Sequence, residues 1–270
     1  MTQEKKLGPP ASTLELSVDI DAPIDAAWRA LTEGAGLANW FPPEAMVSAP
    51  GVGGEVTVKW SDAMAFTTKV DVWEPGQHLR WIDDSGWMGP GTAMTTDYFL
   101  ESVGGTTRVR LVQSGFGASD GWDDLFDGLK VGWMYFLHNL RVYLERHLGR
   151  TRRMISQRIE FSAPREAVWK HLLSASAGLM SGGRVAIKVG DAVEITLPGR
   201  EPVHAVVEMA IAQRALVLRM AAWRDALLFI ELEGGKESFH IGYWLSVYDD
   251  ALARELDAPA QSAFQHTQGM

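Results

Sequence analysis

The chain has 270 residues, 46% hydrophobic and 22% charged, with a net charge of −9, eleven tryptophans and no cysteine. That length suits one large domain or two ordinary ones, and the composition is that of a globular chain rather than a disordered one. The missing cysteine excludes disulfides, thiolate metal sites and thiol nucleophiles. The acidity argues against nucleic acid as a partner, and no stretch approaches the roughly 20 apolar residues of a membrane span. Each tryptophan brings an N–H that needs a partner when buried, so eleven of them point to a core with large aromatic walls.

Residues 1–12 are polar, with Gly8-Pro9-Pro10 and no apolar stretch of a secretory signal. They read as a disordered leader, and the expected location is the cytoplasm. Leu14-Glu15-Leu16-Ser17-Val18-Asp19-Ile20 alternates apolar and polar as a half-buried strand does. Asp21 as cap, Pro23 in the first turn and Asp25 then predict a helix over about 24–33. Asn39-Trp40-Phe41-Pro42-Pro43 stops any further helix.

Gly51 to Gly54 opens a strand with Val56, Val58 and Trp60 on one face, and Phe66, Thr68, Val70 and Val72 share a face of the next. Glu74-Pro75-Gly76-Gln77 is a turn, because proline presets φ and glycine accepts φ > 0. Strands carrying Leu79 and Trp81, then Met94, Thr96, Tyr98 and Leu100, follow it. Gly104-Gly105 closes a hairpin into 106–113. Such short connections make the strands antiparallel.

From Asp123 to Leu148 the period becomes helical. Leu125, Leu129, Trp133, Phe136, Leu140 and Leu144 form one stripe, expected to face the sheet. Val131, Tyr135 and Val142 form a second, expected to meet another domain or a second subunit.

The order then recurs. Ala22-Pro23 with Ala27-Trp28 and Leu31 lines up with Ala163-Pro164 with Val168-Trp169 and Leu172, at an offset of 141. Val103-Gly104-Gly105-Thr106 likewise resembles Glu233-Gly234-Gly235-Lys236. A repeat of this length is a domain duplication rather than a solenoid. The second copy reads as strand 154–161, helix 165–174, strands near 184–197, 203–211, 215–221, 226–233 and 237–246, and a last helix of about 247–256 that Pro259 ends. The expected domains are therefore 13–149 and 150–258, with 259–270 a flexible tail. The copies differ: residues 1–150 hold eight tryptophans and a net charge of −8, and residues 151–270 hold three and −1.

These residues also carry a family likeness. The Ala22-Pro23…Ala27-Trp28…Leu31-Thr32 stretch, Asn39-Trp40-Phe41, Gly53-Gly54-Glu55, Trp73-Glu74-Pro75-Gly76 with Leu79, Gly104 to Val109 and Gly121-Trp122 before the long helix resemble the SRPBCC superfamily. The nearest branch is the heat-shock-protein-90 ATPase activator-like one. The likeness covers about 14–148, and 154–250 more faintly. It implies an α+β fold of two tandem helix-grip domains, each a curved antiparallel sheet wrapped on a long C-terminal helix with a cavity between them, the second copy with a shortened final helix.

Few residues carry chemistry of their own. The seven histidines form no H-x-H or H-E-x-x-H pair, there is no G-x-S-x-G elbow, and Gly51-Val52-Gly53-Gly54 lacks the lysine of a phosphate loop. No metal, cofactor or catalytic residue is expected. Asp83-Asp84, Asp123-Asp124 and Asp249-Asp250 read as solvated loops or helix N-terminal charge. Parity sets Asp97 opposite Tyr98, outside the cavity.

The aromatic set remains. Trp60, Phe66, Trp81, Met94, Tyr98, Trp133, Phe136 and Leu140 are expected to converge between sheet and helix, with Thr68, Tyr98 and Gln113 as the polar groups of that interior. The competing expectation is a filled core in which those polar groups pair with each other or with backbone. The leading functional expectation is non-catalytic binding of a hydrophobic or aromatic small molecule in the first domain. The alternatives are an enzyme of cyclase or hydrolase type on an aromatic substrate, and a co-chaperone-like or regulatory interaction module.

Overall fold

Strand β1 (Leu14–Ile20) alternates as its sequence demands and runs antiparallel to β7 (Thr106–Ser114), Leu14 opposite Gln113 and Ile20 opposite Thr107. The computed structural model describes residues 13–85, 93–116, 121–181, 183–234 and 239–266; the leader, Trp87, and the side chains of Trp122, Asp123, Asp124 and Leu125 lie outside the described set. The chain divides into two units, Met1–Leu148 and Gly149–Met270.

In the first unit, helix α1 (Ile24–Thr32) starts at Pro23, whose carbonyl accepts the N–H groups of Ala26 and Ala27. Asp21 is not the cap: its backbone N–H donates to Glu145. A one-turn helix α2 (Gly34–Ala38) follows, unforeseen because five residues are too few to show a period. At Gly36 a Cβ would lie 2.5 Å from the carbonyl oxygen of Arg29, so only glycine lets the chain turn this tightly against α1.

The remaining strands are β2 (Glu44–Val47), also unforeseen, β3 (Glu55–Ser61), β4 (Met64–Glu74), β5 (His78–Asp83) and β6 (Met94–Val103). The seven-stranded sheet is ordered β1-β7-β6-β5-β4-β3-β2, antiparallel throughout. Register shifts at Lys59/Ser61 and Val70/Val72 increase its bend. The Glu74–Gln77 turn closes with Gln77 N–H donating to the Glu74 carbonyl and Gly76 at φ +71°. Helix α3 (Gly121–Arg146) packs on β1, and α1 packs on β6 and β7. Trp133, Leu140 and Leu144 are buried, and so are Val131, Tyr135 and Val142. Trp28 is half-buried, edge-on to Trp73 at 5.3 Å, whereas its repeat counterpart Trp169 is buried.

The second unit repeats the plan with one strand fewer. Its elements are β8 (Arg153–Phe161), α4 (Arg165–Leu172), β9 (Ala192–Ile195), β10 (Val203–Ile211), β11 (Ala215–Met220), β12 (Ala226–Gly234), β13 (Phe239–Val247) and α5 (Asp250–His266), with the sheet ordered β8-β13-β12-β11-β10-β9. First strand beside last, then sequential hairpins, is the order of the first sheet, which is what a duplication produces. Both copies are α+β, and at 17 residues α5 is shorter than the 26 of α3.

Pro259 does not end α5. It sits inside the helix, and Ala260, Ala263 and Phe264 beyond it are buried, Phe264 stacked on Tyr243 at 4.5 Å and 8°. The residues up to His266 are therefore core-forming helix rather than tail. An interior proline costs about 3 kcal/mol. Burying a phenylalanine contributes about 1.5–3 kcal/mol and its ring pair about 0.5–1.5 more, enough with the two alanines to offset that cost.

Candidate functional site

The register of the first sheet builds one interior wall. Trp81 on β5 lies opposite Thr96 on β6, which lies opposite Gln113 on β7, so the three side chains form a row across adjacent strands. Asp83 and Met94 form the next row. From the other side come Val58 and Trp60 on β3, Phe66 and Thr68 on β4, and Leu129 from α3. Together with Phe41 these groups line a partly open cavity of about 170 Å³.

Phe41, in the turn after α2, is the centre of the aromatic cluster. Its ring stacks on Trp133 at 5.0 Å and Trp81 at 6.4 Å, and meets Trp60 and Phe136 edge-on at 5.2 and 4.7 Å. Its neighbour Trp40 is fully buried and donates its indole N–H to the Ala30 carbonyl. Asn139 on α3 donates to the Trp40 carbonyl at 2.7 Å. Pro42 and Pro43 restrict the backbone that follows. Phe41 is thus held in place from both sides and takes up space the aromatic walls would otherwise leave open.

The polar groups divide. Trp133 donates its indole N–H to Gln113 Oε1 at 2.9 Å, Gln113 Nε2 donates to Thr96 Oγ1 at 3.4 Å, and Thr68 Oγ1 donates to the Val56 carbonyl. Those groups are satisfied within the fold. Two others are not: the Trp81 indole N–H and the Tyr98 hydroxyl are buried with no hydrogen-bond partner. Burial holds the Tyr98 phenol well above the usual tyrosine pKa, so it stays protonated. Asp83 accepts the Ser85 N–H at 2.9 Å and presents a carboxylate at the cavity.

Of the residues expected in the site, Trp60, Phe66, Thr68, Trp81, Met94 and Gln113 line this cavity. Tyr98 and Trp133 pack behind Trp81 and Phe41, at ring distances of 5.0 Å for each pair, and Phe136 packs against Phe41. Leu140 is fully buried in the core and does not line the cavity. Val58, Thr96 and Asp83 were legible by strand parity with Trp60, Met94 and Trp81; Asp83 was set aside as loop charge, while Asp84 beside it pairs with Lys69. Leu129 was in the α3 stripe expected to face the sheet, and Phe41 carried no such signal because its turn has no period.

Asp97 stays outside, as parity requires, bonded to His78 Nε2 at 2.6 Å and Arg80 Nε at 2.7 Å. Near it Phe99 is flanked by the His78 ring and the Arg110 guanidinium, each at 4.2 Å, beside a surface depression of about 330 Å³. That depression is the larger, but its charges pair locally: Arg108 with Asp19 and Glu101, Arg110 with Glu15. Among the described residues, no three His, Asp or Glu side chains gather as a metal site, and no helix is long and apolar enough to cross a membrane.

In the second unit the most perturbed group is Glu231 on β12. Burial, reinforced by the Glu233 charge, raises its carboxyl from an ordinary 4.5 to about 8, against the opposing pull of Arg214 and Arg158. The fold therefore holds a proton that the unfolded chain releases near pH 4.5, and stability falls as pH rises from there through 8. Glu231→Gln is expected to flatten that decline, seen as a smaller slope of melting temperature against pH between about 5 and 8. An unchanged slope would assign the proton elsewhere.

Residues 21–145 match the family model described as "Activator of Hsp90 ATPase homolog 1-like protein". That match lies wholly within the first unit. Among solved structures, a protein from Mesorhizobium loti is 24% identical over 50% of this chain and 98% of its own, with a TM-score of 0.45. The Aha1 dimer from Colwellia psychrerythraea is 24% identical over 50% of this chain and 96% of its own, TM-score 0.42. The di-domain ARO/CYC BexL from the BE-7585A biosynthetic pathway is 14% identical over 96% of both chains, TM-score 0.45. No curated protein matches the chain. Every residue lining the cavity falls within the span that the family model matches.

Proposed function

We propose that the activator-like domain binds a small single-ring aromatic molecule between its sheet and α3. The observation that carries this is the cavity itself, about 170 Å³ and walled by Phe41, Trp60, Phe66 and Trp81. A dry apolar cavity of roughly 150 Å³ accepts benzene, whereas drug-sized sites run to about 300–1,000 Å³. The volume suits one ring, and Phe41 sets that limit.

The test is a ligand panel followed by thermal unfolding. Toluene and phenol are expected to raise the melting temperature of the first unit, since a ligand at about 100 times its Kd stabilises the native state by about 2.7 kcal/mol. Naphthalene is expected to bind poorly to the native protein and better to Phe41→Ala, or to Phe41→Leu if the alanine variant is too unstable. Silence across the whole panel would count against a binding cavity.

Asp83 supports a second reading, an acid–base enzyme on an aromatic substrate, because its carboxylate is the one titratable side chain among the described residues lining the cavity. Asp83→Asn separates the two. It abolishes turnover in an enzyme and leaves ring binding intact in a carrier.

A further inference from the structure

Asp83 ends β5 on the face that carries Trp81, opposite Met94, and lines the cavity with both. Among the described residues of that wall it is the one charged side chain, and none is basic. It is half-buried where Trp81 is 5% exposed, so it keeps surface that a ligand can reach. Its Oδ1 accepts the Ser85 N–H at 2.9 Å, which helps hold the carboxylate in place. The next residue, Asp84, pairs with Lys69 at 3.3 Å, and neither of those two lines the cavity.

A carboxylate only accepts hydrogen bonds, so what complements it is a donor. Two observations favour a cationic donor over a neutral one. The rings of Phe41, Trp60, Phe66 and Trp81 share the wall with Asp83, and aromatic faces attract cations. Residues 1–150 also carry a net charge of −8, which draws cations to this unit and repels anions. Because Asp83 is only half-buried, an ammonium beside it need not lose all its hydration. Two residues along a strand span roughly 7 Å, so a ring against Trp81 leaves Asp83 within reach of a short alkyl arm.

Resting on the single-ring reading above, we infer that the ligand is a cationic arylalkyl amine, its ring held among Phe41, Trp60 and Trp81 and its ammonium at the Asp83 carboxylate. Asp83 then reads charge while Phe41 limits size.

The experiment compares benzylamine, a cation at neutral pH, with benzyl alcohol, which has the same skeleton and a neutral donor. Both are titrated into the native protein and into Asp83→Asn, which keeps the shape of the side chain without its charge. The native protein is expected to prefer benzylamine. In the variant the ratio of the two Kd values is expected to shift against benzylamine by about three- to tenfold, between the worth of an exposed ion pair and that of a hydrogen bond to a charged group. In native protein with ¹³C-labelled aspartate, the Asp83 carboxyl resonance is expected to move further with benzylamine than with benzyl alcohol, a readout that does not depend on the variant folding. No preference for benzylamine in the native protein, equal ratios in the two proteins, or a carboxyl resonance indifferent to the amine each overturn the charge reading and leave ring binding standing. Absence of binding by both ligands overturns ring binding and the charge reading together.

Discussion

Trp40→Ala is expected to destabilise the first unit by about 3–5 kcal/mol, a large share of the 5–15 kcal/mol that holds a typical domain folded. The side chain is fully buried, stacks on Phe41 at 5.3 Å and donates to the Ala30 carbonyl at 2.8 Å. Truncation removes the packing and leaves that carbonyl unmet. It also loosens the segment that Asn139 holds, so Phe41 loses one of its supports. Denaturant unfolding reads the stability loss. A ligand panel on the surviving folded fraction reads the second effect, a weaker preference for one ring over two. A loss under about 1 kcal/mol would mean that Trp40 is not what fixes this segment.

Phe264→Ala is expected to cost the second unit a similar 3–5 kcal/mol. The ring is fully buried against Tyr243, five residues beyond the proline. In a flexible tail the same change would stay within about 0.5 kcal/mol, so the experiment separates the two cases sharply. Pro259→Ala supplies the opposite sign. It restores a helix N–H and removes the ring's clash with the preceding turn, and the unit is expected to melt higher. Loss of stability in Pro259→Ala would show that the proline supports a bend the core requires.

Local chemistry made much of the fold legible. Leu14 to Ile20 could only be a strand with one face buried. Pro23 could only open a helix. Gly76 and Gly104-Gly105 marked turns that the structure builds with positive φ. The Ala-Pro and Trp pairs separated by 141 residues announced the second copy, and its strands recur in the same order. The places where the reading failed share a cause. Pro259 was weighed by its local cost alone, while Ala260, Ala263 and Phe264 stabilise the helix through contacts with distant strands. Asp83 looked like loop charge beside Asp84, although its parity with Trp81 set it on the inner face.

What the sequence determined by itself is therefore the strand and helix order, the duplication and which face most strand residues take, because a period of 2 or 3.6 is a local property of the chain. It also supplied the aromatic side chains of the wall. The tertiary structure decided how much of that interior is empty. Phe41 arrives from an aperiodic turn, takes the middle of the cluster and leaves about 170 Å³. The tertiary structure likewise decided which donors are met: Trp133 finds Gln113 while Trp81 finds nothing. Space and hydrogen-bond partners depend on segments far apart in the chain meeting at one point, and no local period records where they meet.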